Sequence, residues 1–223
     1  MANTSDCKSD YAGSNPVRYC ILEFDMIDNF DNIRSILTFP ESQDDRYFYF
    51  LQIMQRRKDN PELSGNNRII KSYYVHSLDY FDKIKSEVIT LCETFNARAG
   101  IRLNLRDARQ VGFAAMQQMV TSLQQPDYRH FQRVYEKAAG QHCMKDGRTW
   151  ILDIDEGTHW HENYWKLPFM LGDIEPAGDK LVKVIPSNSG YHLIVKPFNL
   201  QQAKDLLKDI EIHKDNPTNL FIP

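Results

Sequence analysis

Asp153 and Asp155 stand two residues apart in an otherwise apolar run, TWILDIDEG (149–157). Side chains two apart on a strand leave the same face, so both carboxylates point one way from a strand whose Trp150, Ile151, Leu152 and Ile154 read as core. Ionised carboxylates on so apolar a strand call for pairing or a bound cation. A second pattern, IPSNSGYHLIVKPF (185–198), sets His192, Ile194 and Lys196 on one face after a small-residue turn holding Ser187, Ser189 and Gly190, whose backbone amides can approach a phosphate. A third, DIEIHKDNPTNLFIP (209–223), puts Asp209, Glu211 and His213 on one face. Two carboxylates, a third acid and a cationic strand are the parts that metal-dependent chemistry on a triphosphate needs, with oxygen ligands for Mg²⁺ or Mn²⁺ and the metal offsetting charge on phosphoryl oxygens.

These patterns have to be held by the surrounding elements. The aromatic-rich RYFYFLQIM (46–54) reads as a strand, the turn-rich 56–68 as a loop, and IIKSYYV (69–75) as the returning strand. Ser77 is placed to cap a helix over 77–95, in which Phe81, Ile84, Val88, Leu91 and Phe95 recur at helical spacing. ARAGIRLNLRDAR (97–109) alternates cleanly: Ala97, Ala99, Ile101, Leu103 and Leu105 fall on one face, and Arg98, Arg102, Asn104 and Arg106 on the other. That second face is a candidate phosphate-contacting surface. Asp107 then caps a helix to about Leu123, and another helix is expected over roughly 127–139. The remainder reads as strand 149–155, a long loop over 158–178, hairpin strands 181–185 and 191–196, a helix over 200–208 capped by Asn199, and strands 210–213 and 219–222. The fold class is α+β, with helices on one face of a mainly antiparallel sheet.

The composition narrows the functional classes. A chain of 223 residues, 42% apolar, can bury a full core. Its net charge of −3 lacks the basic surplus usual for nucleic-acid binding, so any polyanion site must be local. One local cluster, Arg56, Arg57, Lys58, Arg68 and Lys71, faces only Asp59 and Glu62 and is placed to hold a template backbone. Four scattered cysteines with no CxxC pair, no secretory signal and no membrane-length apolar run point to reduced thiols in a soluble cytoplasmic protein. His159 and His161 lack a third and fourth ligand at usable spacing and are not read as a zinc site. Residues 1–15 are small, polar and aperiodic, and are expected to be disordered ahead of a single domain over 16–223.

The three patterns, in this order, resemble the archaeo-eukaryotic primase superfamily and its primase–polymerase branch. That family carries an hhDhD/E strand, an SxH or SGGxH hairpin and a later hD/E strand, to which WILDID, PSNSGYH and DIEI are similar. The resemblance implies an RRM-like antiparallel catalytic core (141–223) joined to an N-terminal αβ unit (16–140). It also implies two-metal nucleotidyl transfer that makes or extends primers from NTPs or dNTPs on a single-stranded DNA template. By position, Asp153, Asp155 and Glu211 would ligate Mg²⁺ or Mn²⁺, with Asp209 the alternative third acid. His192 and the Ser187–Ser189 turn would hold the incoming triphosphate, assisted by Lys196. Arg98, Arg102 and Arg106, with Arg56 and Arg57, are the candidates for template or phosphate contact. Lacking a zinc module and a fused helicase, the chain would be a stand-alone catalytic domain of the phage or mobile-element kind, working with a separate helicase or replication protein. Two other classes fit the same carboxylates: a metal-dependent nuclease or phosphohydrolase, and a catalytically inactive nucleic-acid-binding module of the same fold.

Overall fold

A computed structural model describes residues 26–41, 45–124 and 131–223. The expected N-terminal disorder at 1–15, and residues 127–130 of the helix expected over 127–139, lie outside these. In chain order the elements are β1 (Ile27–Asp28), α1 (Phe30–Arg34), β2 (Tyr47–Gln55), β3 (Arg68–Val75), α2 (Leu78–Phe95), β4 (Arg98–Asp107), α3 (Ala108–Leu123) and α4 (Val134–Gln141). There follow β5 (Trp150–Asp155), α5 (His159–Asn163), α6 (Leu167–Gly172), β6 (Leu181–Ser187), β7 (Gly190–Val195), β8 (Glu211–His213) and β9 (Thr218–Ile222). The chain is a mixed α and β fold, and every strand pair is antiparallel.

The strands form two sheets where one was expected. A five-stranded sheet runs β1-β9-β4-β2-β3, and a four-stranded sheet runs β6-β7-β5-β8. The last strand is the reason for the difference: β8 pairs with β5 in the second sheet, while β9 crosses over to lie between β1 and β4 in the first. Period-two alternation then dictates the layers. Tyr49, Leu51 and Ile53 of β2, with Ala99 and Ile101 of β4, pack against Phe81, Ile84 and Val88 of α2 and against Ile151, Ile185 and Ile194 of the second sheet. Phe48 and Phe50, from the opposite face of β2, pack with Val111 and Ala115 of α3 and Val134, Ala138 and Ala139 of α4. Helices therefore cover both faces of the larger sheet, not one. The far face of the smaller sheet presents Leu152, Ile154, Leu193 and Val195 to Leu167 and Leu171 of α6 and to Ala203 and Leu207.

Local signals explain most boundaries. Ser77 Oγ accepts the Tyr80 amide at the start of α2, and Asp107 accepts the Arg109 amide at the start of α3, so each satisfies an otherwise orphaned donor. Two segments depart from expectation. The loop expected over 158–178 contains α5, a 3-10 turn at Tyr164–Lys166 and α6, whose first turn holds Pro168, a residue whose missing N–H costs nothing there. The helix expected over 200–208 is a series of turns: Asn199 does accept the Gln201 and Gln202 amides, and Ala203 and Leu207 reach back four residues, but Lys204 and Ile210 reach back three. Burial of Ala203 and Leu207 in the second core fixes that path more strongly than helix propensity does. Among the described residues, no helix is long and apolar enough to cross a membrane.

Candidate functional site

β5 lies between β7 and β8, and the register places His192 on one side of Asp153 and Glu211 on the other. Residues directly opposed across adjacent strands share a face, so an imidazole and two carboxylates form one row across three strands. Of the two candidate third acids, Glu211 opens β8 in register with Asp153, whereas Asp209 is an exposed residue ahead of the strand. His213, one pleat further along β8, brings Nε2 to 3.7 Å from the Asp153 carboxylate and 3.4 Å from that of Glu211. Ligand atoms of Asp153, Glu211 and His213 all lie within 4.8 Å of one another, the one such group among the described residues. That is a spacing one cation can span. His213 was placed on this face by strand parity but given no ligand role. The signal was already present in the E-I-H alternation.

His192 is buried and held at both nitrogens. Nε2 lies 3.3 Å from Asp153, and Nδ1 lies 2.8 Å from the hydroxyl of Thr218, a fully buried residue of β9. A nitrogen facing a carboxylate must carry its hydrogen, so in the neutral ring Nδ1 is the acceptor and Thr218 donates. The ring is thus oriented by the other sheet. The hydrogen bond from His192 is the main reason that the Asp153 carboxyl sits below the usual carboxylate range. The charges of His192 and His213 add to it, and partial burial opposes it.

Asp155 shares the face of Asp153 but stands outside the three-ligand group. Its carboxylate is exposed and accepts the Ser189 hydroxyl at 3.0 Å. The turn that carries Ser189 seats directly on β5: the Glu156 amide donates to the Ser189 carbonyl, and Gly190 pairs with Asp155. Gly190 has φ +153°, and a Cβ there would lie 1.9 Å from the Ile154 carbonyl oxygen, so no other residue fits without moving the turn off the strand. The SNSG signal therefore reports a close approach of the turn backbone to β5, beside an acid.

Asp153, Asp155, Ser187, Ser189, His192 and His213 all line one cleft of about 610 Å³. Residues of both sheets bound it, and its other wall carries Arg56, Lys58 and Arg98. Arg98 pairs with Asp59 at 2.7 Å on that wall. Arg57 is exposed and does not line the cleft.

Three expected site residues lie elsewhere. Arg106 is fully buried: it donates to the carbonyls of Ala139 and Asn104 and pairs with the Asp215 carboxylate at 2.7 Å, so it offers nothing to a polyanion. Arg102 donates to the Asp215 carbonyl, and burial lowers its pKa; it opens on a second cavity of about 300 Å³ shared with Arg133 and Lys137. Beyond Arg98 the arginine face of β4 does not reach the first cleft: Arg102 opens on this separate cavity, and Arg106 is sealed by Asp215 and the end of α4. Lys196 follows the last residue of β7, at the end of the hairpin away from Ser189, and donates to the Asp179 carbonyl. His161 stacks on Tyr191 and His159 lies against Trp160; neither belongs to a ligand group.

Comparison of the chain with models of protein families, with curated proteins and with solved structures finds no match.

Proposed function

We propose that the protein is a template-dependent nucleotidyltransferase of primase–polymerase type, with an RRM-like core, acting on NTPs or dNTPs along single-stranded DNA. The observation that carries this reading is the row His192–Asp153–Glu211, with His213, of which Asp153, His192 and His213 line a cleft whose other wall holds Arg56, Lys58 and Arg98. An acidic, imidazole-bearing wall facing a cationic one suits a metal-bound polyphosphate lying between them. In the reaction a 3′-hydroxyl attacks the α-phosphate in line, a new P–O bond forms and pyrophosphate leaves.

The donor set fits a divalent cation. Two carboxylates suit Mg²⁺ and Mn²⁺ alike, and the imidazole of His213 favours Mn²⁺ over Mg²⁺, which prefers oxygen throughout. When bound, such a cation supplies Lewis acidity toward the phosphoryl oxygens and the attacking hydroxyl. The chain's own residues supply the rest. Asp153, held ionised by His192, keeps its negative charge at the centre of the row. The Ser187–Ser189 turn, fixed on β5 by Gly190, presents small polar groups to a triphosphate. Thr218 fixes the His192 ring so that Nε2–H points into the row. Arg56 and Lys58 are placed to contact a template or triphosphate across the cleft.

The experiment is primer synthesis and extension with labelled NTPs and dNTPs on single-stranded DNA, in Mn²⁺ and in Mg²⁺, beside the Asp153→Ala/Asp155→Ala variant. Product that requires both aspartates is the expected result. Degraded template or free nucleotide hydrolysed without extension would identify a nuclease or phosphohydrolase instead. Template binding with no turnover, unchanged in the variant, would identify a non-catalytic module.

A further inference from the structure

α3 has two apolar sides, and among the described residues only one of them is packed. Val111 and Ala115 are buried against Phe48, Phe50 and α4. On the outward side Phe113, Met116, Val120 and Leu123 are 58%, 53%, 58% and 58% exposed. Their spacing of three, four and three is that of the a and d positions of two heptads, the seam that one helix offers to another. Isolated exposed apolar residues are ordinary, but four large ones in line on a 16-residue helix form an interaction face.

The residues around the seam indicate what covers it. One edge carries Gln110, Gln117 and Gln124, and the other Gly112 and Met119. Flanking charges normally choose a helix's partner and orientation; here residues 111–123 carry no charge, so that stretch neither repels an identical helix nor attracts a charged one. The seam is also complementary to itself. Laid antiparallel on a second copy, Phe113 meets Leu123 and Met116 meets Val120, so every a position opposes a d position and a two-fold axis passes through the middle.

Arg109 selects that orientation. It lies in the first turn of α3, where a cation opposes the helix's own dipole, and the last turn has no basic residue to complement its carbonyl end. Antiparallel pairing carries each Arg109 to the partner's C-terminal end, whereas parallel pairing sets the two arginines side by side. We infer that two copies of this chain associate through antiparallel α3 helices about a two-fold axis. None of the four seam residues lines the cleft. The inference is independent of the chemistry proposed for the cleft.

The test is sedimentation equilibrium of the full chain, with and without Val120→Glu. The expected result is reversible dimerisation at about 1–100 μM, the range of a small interface. A carboxylate in the seam weakens it by about a hundredfold, with an unchanged circular dichroism spectrum because position 120 is exposed in the monomer. Orientation is read by mild oxidation of Met116→Cys and Val120→Cys variants, with the native chain as control for its own cysteines. A disulfide that forms when the two variants are mixed, and with neither alone, supports the antiparallel pair. A monomer at every concentration, a dimer indifferent to Val120→Glu, or a Val120→Cys homodisulfide overturns it.

Discussion

The Arg106–Asp215 network and the Asp153 cluster are built from similar material: ionisable side chains at alternate positions of central strands, shielded in part from water. They end in opposite states. Behind β4, each guanidinium nitrogen of Arg106 finds an acceptor, and Asp215 also takes the Asn104 side-chain amide. Beside the cleft, Asp153, Glu211 and His213 converge, and among the described residues no lysine or arginine pairs with either carboxylate. Strand parity delivers charge to a face. What lies across that face decides whether the charge is consumed in holding the fold or left for a ligand.

Single substitutions should separate the two. The largest effect is expected from Asp153→Asn, which removes the central charge of the open cluster. Nucleotide incorporation should fall by about 10⁴-fold, while the urea midpoint falls only modestly, since the asparagine oxygen can still accept from His192 Nε2. Strong destabilisation by this variant would show that Asp153 is structural, and the contrast would fail. Arg106→Met should behave the other way round. Breaking a buried pair from one side costs about 3–5 kcal/mol, read as a lower urea midpoint at constant slope, and Mn²⁺ should still raise the melting temperature of the variant.

His213→Ala sharpens the open side of the comparison. Losing one of three ligands should weaken Mn²⁺ binding by about 10–100-fold, with a smaller effect on Mg²⁺, which gains little from imidazole. Equal losses for both ions, by titration calorimetry, would remove His213 from the ligand set. The smallest effect is expected at Asp107, a second closed charge: it caps α3 and pairs with Arg46 at 2.7 Å, and the hydrogen bond from Arg46 holds its carboxyl below the usual range. Asp107→Asn should cost about 1 kcal/mol. Because the folded-state pKa is depressed, the stability Asp107 contributes is present in full above about pH 4, where an unfolded aspartate ionises. It disappears as pH falls through the lower folded value. The variant and the native chain should therefore converge in stability toward acid. Divergence there would sink the assignment.

The elements with strong local periodicity were legible in the sequence. Phe81, Ile84 and Val88 of α2 are buried as their spacing requires, and Ser77 caps that helix. Asp153, Asp155, His192 and Glu211 come to one cleft or its row because parity and register are enforced by apolar neighbours on the opposite face. What local pattern does not carry is the covering of a face by distant chain. The arginines of β4 have clean parity, yet Arg106 is sealed by Asp215 and by the Ala139 carbonyl of α4. Lys196 has the parity of His192 but falls beyond the last paired residue of β7. The helices at 159–172 were missed because their apolar anchors, Leu167 and Leu171, are too few for a periodic signal.

The position of β9 bears on the order in which the molecule is built. Synthesis proceeds from the N-terminus, so β1, β4, β5 and the β6–β7 hairpin emerge before residues 218–222. Until that strand arrives, the edge of β4 between Ala99 and Ile101 has no partner, and His192 lacks the hydroxyl that orients it. Pairings between segments so far apart in sequence are the slow ones. From the emergence of β4 until β9 follows, the nascent chain thus carries an open, sticky strand edge, and the cleft becomes a defined site only when β9 closes it.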